Sequence, residues 1–482
     1  MNSAMIRYTL GKMIMVEGGL MLIPSIVSLI YREGPRHFLS FALVGIALML
    51  LGFLLSFRKP SERRIYTKEG HIIVALTWFA MSFFGTFPLM ISGDIPLFVD
   101  AWFEMVSGFT TTGSTILHDV EVLSHSVQFW RSFTHLIGGM GVLVFALAVM
   151  PDADSETVHL LKAEVPGPIF GKLVARLRNT ARILYTIYLG MTAILIIALM
   201  LCGMNAFDAM IHAFSTAGTG GFSNYNASIG HFNSVSVEMV LAVAMLMFGV
   251  NFNLYYMILI GRARDAIKSE EWRWYLGIVL GATGIVSFIL MYVTDSIGTA
   301  FRDGFFTVSS IITTTGFSTT DFSHWPLFTQ HILLLLMFVG GCAGSTAGGL
   351  KVSRIAIAFK AGVHEIQRMR EPKRALVIRF DGKRLSRDAV TRIRNYFIVY
   401  TMLFIFFFMV MTIEVEDFAT AYSAVITMIN NIGPGLGSYG PTSNFAEMSN
   451  WAKFMMSSIM IFGRLEIFPV LILLSPKTYN LN

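Results

Sequence analysis

The chain has 482 residues, 54% of them hydrophobic and 14% charged, with a formal net charge of +6 and a mean hydropathy of +0.64. Soluble proteins average about 25% charged residues, so this balance excludes an ordinary soluble domain and indicates an all-α polytopic membrane protein. The two cysteines, Cys202 and Cys342, lie in apolar segments, which leaves no disulfide framework and no CxxC metal site.

Apolar segments of spanning length fall at about 13–31, 38–57, 71–92, 132–150, 183–203, 238–260, 275–294, 329–343, 396–413 and 452–474, which predicts about ten transmembrane helices. No small-residue cleavage site follows the first apolar run, so it reads as a retained span. The first two spans form an N-terminal hairpin over 1–70. The other eight come in pairs, and each pair brackets a short segment ending in a glycine-containing loop. The chain thus divides into repeats at 71–165, 166–272, 273–390 and 391–482.

The loops carry the repeat. Thr110-Thr111-Thr112-Gly113 returns as Thr313-Thr314-Thr315-Gly316, with Asp100 and Asp303 each thirteen positions before the glycine. The same ruler finds Asn205 before Gly218 in Ser215-Thr216-Ala217-Gly218, and Thr420 before Gly433 in Asn430-Asn431-Ile432-Gly433. All four are helix-capping residue types. Each unit reads as a capped helix of about eleven residues, roughly 17 Å long, or half the ~30 Å bilayer core.

Lys and Arg placement orients the spans. The connections 58–68, 151–182, 261–273 and 351–394 are basic, the last holding thirteen Lys or Arg against four acidic residues. They alternate with the loop segments, which hold Asp94, Asp100, Glu104, Asp119, Glu121, Asp208, Asp303, Asp321, Glu414, Glu416 and Asp417. The positive-inside rule places the basic connections and both termini in the cytoplasm, with every glycine loop facing out. The positive charge is therefore topological and no nucleic acid is expected as a partner. The acidic mouth would concentrate cations, or it reflects only the exclusion of Lys and Arg from translocated loops.

A cation crossing the bilayer needs its water replaced by oxygen ligands, which backbone carbonyls at glycine turns supply. The ligand candidates are Thr111, Thr112 and Gly113; Thr216, Ala217 and Gly218; Thr314, Thr315 and Gly316; and Asn431, Ile432 and Gly433. The fourth set lacks threonine, so its ligands are expected to be carbonyls alone. Half-helix C-termini aimed at the ion add partial negative charge. The alternative is a small-residue packing motif.

Two further features lie below the loops. The span after the third loop dissolves into Gly340-Gly341-Cys342-Ala343-Gly344-Ser345-Thr346-Ala347-Gly348-Gly349-Leu350-Lys351, a poor helix at membrane depth. It fails the phosphate-loop pattern, since Lys351 is two positions after Gly349 and is followed by Val352. It reads as a mobile plug or as a kink that lets helices approach. Arg464 stands in an otherwise apolar span, which costs about 2.5 kcal/mol or more unless it faces a partner or water. Glu466, two positions on, is on another face of the helix, so Arg464 is expected at the pore axis and Glu466 toward another helix or the inner mouth. Glu17, His135, His212, Asn251 and Asn253 read as interhelical hydrogen-bonding groups, and Glu104 as a cation attractor or a helix anchor.

Four membrane–loop–membrane units on one chain, with single-glycine loops, resemble the Trk/Ktr/HKT family of potassium transporters. The two extra N-terminal spans are most similar to its bacterial TrkH/TrkG branch. The resemblance implies a pseudo-four-fold pore with Gly113, Gly218, Gly316 and Gly433 as filter glycines, and glycine at the first favours K⁺ as the transported ion. It implies a gate at Gly340, Gly341, Gly344, Ser345, Thr346, Gly348, Gly349 and Lys351, with Arg464 as a positive barrier. It also implies a homodimer in the bacterial cytoplasmic membrane, bound to a cytosolic ring of TrkA-like nucleotide-binding subunits. No catalytic dyad, metal cluster or nucleotide loop is present in the sequence, so the expectation is a potassium uptake protein, not an enzyme, without an organic cofactor. The rival is a Na⁺- or H⁺-coupled secondary transporter, whose class often uses inverted repeats; here all the loops re-enter from one side.

Overall fold

The computed structural model describes residues 2–60, 65–141, 177–294, 296–371 and 377–478. The basic residues Arg63, Arg64, Lys162, Lys172 and Arg176, and the end of the expected span 132–150, lie outside the described residues. Among the described residues six helices are long and apolar enough to cross a membrane: Ser3–Ile30, Pro35–Ser56, Lys68–Ser92, Ala181–Leu201, Glu270–Leu290 and Arg387–Met411.

The N-terminal hairpin packs through glycines on both helices. A Cβ at Gly18 would sit 2.5 Å from the Gly45 carbonyl oxygen, and one at Gly11 2.9 Å from that of Gly52. The seven-residue spacing puts each pair on one face, so the two backbones touch along their length. The other face of Pro35–Ser56 presents Leu43, Ile46, Leu50 and Leu54 outward, as a lipid-facing stripe should. The hairpin packs against the first helix of repeat 1. That helix is 67% buried over its apolar window, whereas the corresponding helices of the other repeats are 28%, 33% and 28% buried.

Beyond repeat 1, the second member of each pair is shorter or broken, where the sequence predicts continuous spans at 238–260, 329–343 and 452–474. Val235–Phe248 turns by 90° into Phe252–Leu259. Leu327–Val339 stops at Gly340 and helix resumes only at Val352. Asn450–Arg464 breaks before Phe468–Leu474, with Glu466 and Ile467 at φ of 56° and 69°. His125–Gly139 is followed by Met140 as its C-cap and by Gly141 at φ 77°. Neighbours take up the backbone groups freed at a break: Asn251 accepts from Asn253 N at 3.0 Å, and Gly249 O accepts from Cys342 N at 2.9 Å.

Four short helices, Phe98–Phe109, Ala206–Gly218, Ile297–Ile312 and Phe418–Ile429, point into the centre. Their caps differ from the expected set. Asn205 caps its helix, accepting from Asp208 N at 2.8 Å, but the other N-caps are Leu97, Ser296 and Asp417. Asp100, Asp303 and Thr420 stand inside their helices. Beyond the core, the described residues of the basic connection 351–394 include the helix Val352–Arg370 and a two-stranded ladder, Arg379–Phe380 with Lys383–Arg384.

Candidate functional site: a ring of four loops

Each central helix ends in the same way. Thr112 N donates to Ser107 O, Gly220 N to Ser215 O, Thr315 N to Ser310 O and Ile432 N to Thr427 O, at 2.8–2.9 Å. The residue before each donor has left-handed backbone: Thr111 at φ 54°, Thr219 at 56°, Thr314 at 56° and Asn431 at 54°. A left-handed residue closing a helix C-terminus satisfies the last carbonyls and turns the chain sharply. The residue after each donor is a glycine, again at positive φ: Gly113, Gly221, Gly316 and Gly433.

This register corrects the second loop. The structure brings Thr111-Thr112-Gly113, Thr314-Thr315-Gly316 and Asn431-Ile432-Gly433 together with Thr219-Gly220-Gly221. Thr216, Ala217 and Gly218 are the last turn of the second central helix. The Thr216 hydroxyl bonds to His212 O at 2.6 Å, and Gly218 is where that helix touches the His135 backbone.

The four glycines close a cycle. A Cβ at Gly113 would land on the Gly220 carbonyl oxygen, one at Gly221 on that of Thr315, one at Gly316 on that of Ile432, and one at Gly433 2.7 Å from that of Thr112. Each loop therefore presses its glycine against the next loop's backbone, and no side chain fits between them. Against the ring, on the face from which the chain leaves its glycines, lies a cavity of about 120 Å³ lined by all four glycines and by Ser114, Phe222, Ser318 and Pro434.

Side chains make the ring two-fold. In loops 1 and 3 the hydroxyls of Thr110 and Thr112, and of Thr313 and Thr315, pair at 2.8 Å. Loops 2 and 4 have no such pair. In loop 4, Asn431 Nδ2 donates to Thr112 Oγ1 at 2.9 Å and to Met460 O at 3.0 Å, which latches the fourth loop to the first.

The segment 340–351 meets the ring at residues that precede the glycines. Gly348 N donates to Thr314 Oγ1 at 2.6 Å, and Gly348 packs against Asn430 O. Gly340, Gly344 and Gly349 all adopt positive φ, as does Lys351 at 77°. Thr346 Oγ1 bonds to Phe248 O at 3.2 Å, and Ala343 N to Glu271 Oε1 at 2.7 Å. Ser345 Oγ closes the local turn on Cys342 O, while Gly341 O accepts from Val352 N at 3.0 Å. Lys351 turns its ammonium back onto Ala347 O.

Arg464 is not a bare charge. Its guanidinium donates to Thr346 O at 2.8 Å and to Gly138 O and Gly139 O at 2.5 and 2.7 Å, bridging the segment and the C-terminus of the helix His125–Gly139. Glu466 pairs with Arg354, on the helix that follows the segment, at 2.6 Å. Arg354 also stacks 4.2 Å over Tyr396.

The acidic groups expected at the mouth are largely engaged. Asp100 pairs with Lys453 at 2.8 Å, and Asp208 accepts from Asn205, Asn224 and Tyr225. Glu104 is fully buried and paired with Arg131 at 2.6 Å, so it anchors and is not open to cations. His135 Nδ1 faces Ser215 Oγ at 3.3 Å. Among the described residues no cluster of His, Cys, Asp and Glu could hold a metal ion.

The sequence contains signals for the correct second loop. A serine or threonine stands six before each ring glycine, at Ser107, Ser215, Ser310 and Thr427. The thirteen-residue ruler laid on Gly221 finds Asp208, a third aspartate.

A family described as "TrkH: Cation transport protein" matches residues 37–480. The chain is 36% identical to the Trk system potassium uptake protein TrkH of Salmonella typhimurium strain LT2, over 100% of both chains. It is 37% identical to the Trk system potassium uptake protein TrkG of Escherichia coli strain K12, over 94% of each. The crystal structure of the potassium transporter TrkH from Vibrio parahaemolyticus superposes with a TM-score of 0.90 at 32% identity, covering 100% of both chains.

Proposed function

The chain belongs to the TrkH family of cation transport proteins, and from that premise we propose that it takes up potassium ions across the bacterial cytoplasmic membrane through the ring. The observation that supports this reading is the closed cycle of four glycine loops, each pressed onto a carbonyl of the next. Carbonyls of the loop residues 111–113, 219–221, 314–316 and 431–433 replace the water around the ion. Four half-helices end at the ring, and each C-terminus contributes a partial negative charge of up to about half an elementary charge. The cavity outside the ring admits the ion from the vestibule. The inward electrical driving force is about 2.3 kcal/mol per charge per 100 mV. The protein is a transporter and not an enzyme, and K⁺ is its cargo.

The segment 340–351 is the gate in this reading. It lies against Thr314 and Asn430 on the inner side of the ring, and Arg464 ties it to repeat 1. The guanidinium also opposes a cation below the ring until the segment moves. The four units follow the divisions at 71–165, 166–272, 273–390 and 391–482, with the hairpin at 1–70 and both termini cytoplasmic. A homodimer is proposed, with a cytosolic TrkA-like nucleotide-binding ring docking at the basic connection 351–394 to move the gate.

The test is ion flux in proteoliposomes holding the purified protein, with K⁺, Rb⁺, Na⁺ and Li⁺ compared at an imposed potential. K⁺ and Rb⁺ movement that follows the potential alone is the expected result. Movement that requires a Na⁺ or proton gradient would establish the coupled-transporter alternative instead.

A further inference from the structure

The four segments that leave the ring toward the vestibule are each tied back to the half-helix that precedes them, each with its own chemistry. In loop 3, Ser310 Oγ donates to Phe317 O at 2.7 Å. In loop 4, Ser423 Oγ accepts from Leu436 N at 2.9 Å and donates to Leu436 O at 3.3 Å. In loop 2, His212 bridges Asp208 O at 2.8 Å and Ser223 Oγ at 2.9 Å. The carbonyl only accepts, so Nδ1 carries the proton and Nε2 accepts from the Ser223 hydroxyl.

Loop 1 is tied by a charge. Glu104, nine positions before Gly113, accepts from Thr115 Oγ1 at 3.1 Å and from Ile116 N at 3.3 Å. Arg131 holds the same carboxylate from the next helix, with Nη2 at 2.6 Å and Nε at 2.7 Å. The two side chains are 0% and 2% exposed. The Arg131 guanidinium also lies 4.2 Å from the ring centre of Phe222, the residue after Gly221. One buried ion pair therefore grips the outer limb of loop 1 and touches that of loop 2.

We propose that Glu104, clamped by Arg131, is a positioning residue for ion selection. This rests on the reading of the ring as the filter. A ring of carbonyls discriminates K⁺ from the smaller Na⁺ only if it resists closing around the smaller ion. Charge-assisted hydrogen bonds are shorter and stronger than neutral ones, and a binding layer stays in place only as well as the layer behind it is locked. Glu104 has no free charge to offer an ion, since Arg131, Thr115 and Ile116 occupy its oxygens. Its effect passes through Thr115 and Ile116 to Gly113, and through Arg131 and Phe222 to Gly221.

The experiment compares K⁺/Na⁺ flux ratios in proteoliposomes for the full-length parent, Gly113→Ser, Glu104→Gln and Thr115→Val. Glu104→Gln removes the charge and keeps the shape; Thr115→Val removes one tie and keeps the ion pair. The expected result is a ratio lowered about tenfold by Glu104→Gln and less by Thr115→Val, with Thr115→Val still folding despite the lost hydrogen bonds. If Glu104→Gln fails to assemble with Arg131 left unpaired, Thr115→Val alone decides. Parental ratios in the tie variants, beside a lowered ratio in Gly113→Ser, would overturn the role of Glu104 and leave the filter standing. A parental ratio in Gly113→Ser would remove the filter reading and this proposal with it.

Discussion

Gly348 N donates to Thr314 Oγ1 at 2.6 Å, which bonds the glycine-rich segment directly to the third loop of the ring. The segment cannot leave without breaking that bond, so segment and ring are mechanically joined. Thr314→Val keeps the shape and deletes the acceptor, leaving a buried N–H unpaired at a cost of about 1–3 kcal/mol. The expected outcome is a rise of roughly tenfold in basal Rb⁺ flux, since 1.4 kcal/mol is a factor of ten. Parental flux would show that the bond plays no part in holding the closed state.

Shortening the chain between Gly344 and Gly349 removes the turn that carries Thr346 and Gly348 to the ring. Unstimulated Rb⁺ flux should rise above the parental level in vesicles without any cytosolic partner. A shortened protein as quiet as the parent would count against a gate at this place.

Arg464 donates to three carbonyls on two parts of the molecule, at 2.8, 2.5 and 2.7 Å. Bonds to a charged group contribute about 1.5–3 kcal/mol each. Arg464→Ala should therefore raise basal flux more than Thr314→Val does. Arg464→Lys keeps the charge and loses the fork, so it should fall between parent and alanine. Equal flux in the lysine and alanine variants would assign the effect to geometry alone.

The hairpin makes a separate prediction. At Gly45 an added Cβ would sit 2.7 Å from the Gly18 carbonyl oxygen, with backbone that cannot move aside cheaply. Gly45→Val should cost about 1–3 kcal/mol by overpacking, read as a lower melting temperature in detergent. The K⁺/Na⁺ ratio should stay parental, because the atoms a Cβ at Gly45 would meet, on Gly18, Met21 and Leu22, all belong to the hairpin itself.

Much of this architecture is written in composition and spacing. Apolar run lengths and Lys/Arg placement are one-dimensional signals, and the half-helices, the loop at 340–351 and the membrane class follow from them. Two kinds of feature were less legible. The breaks at Gly249–Asn251 and Leu465–Ile467 leave an apolar sequence apolar, so hydropathy passes over them; what stabilises the first break is Cys342 N on Gly249 O, a partner almost a hundred residues away. The thirteen-residue ruler sets the second loop three residues early, because Asn205 is a true cap, whereas Asp100 and Asp303 are not. True caps stand at 97, 205 and 417, sixteen before Gly113, Gly221 and Gly433, while Ser296 is twenty before Gly316. Matching a cap in one repeat to a first-turn or mid-helix aspartate in another shifts the register to Gly218. Partners of Glu104 and Arg464 were illegible for a plainer reason, since Arg131, Thr346 and Gly138 lie on other elements.

The most direct test of the central claim is the K⁺/Na⁺ flux ratio of Gly221→Ser in proteoliposomes, measured beside Gly113→Ser. Both side chains would strike a carbonyl of the neighbouring loop, so the ring of Gly113, Gly221, Gly316 and Gly433 predicts that both ratios fall toward unity. A folded Gly221→Ser protein that keeps the parental ratio would contradict the ring as the site of ion selection.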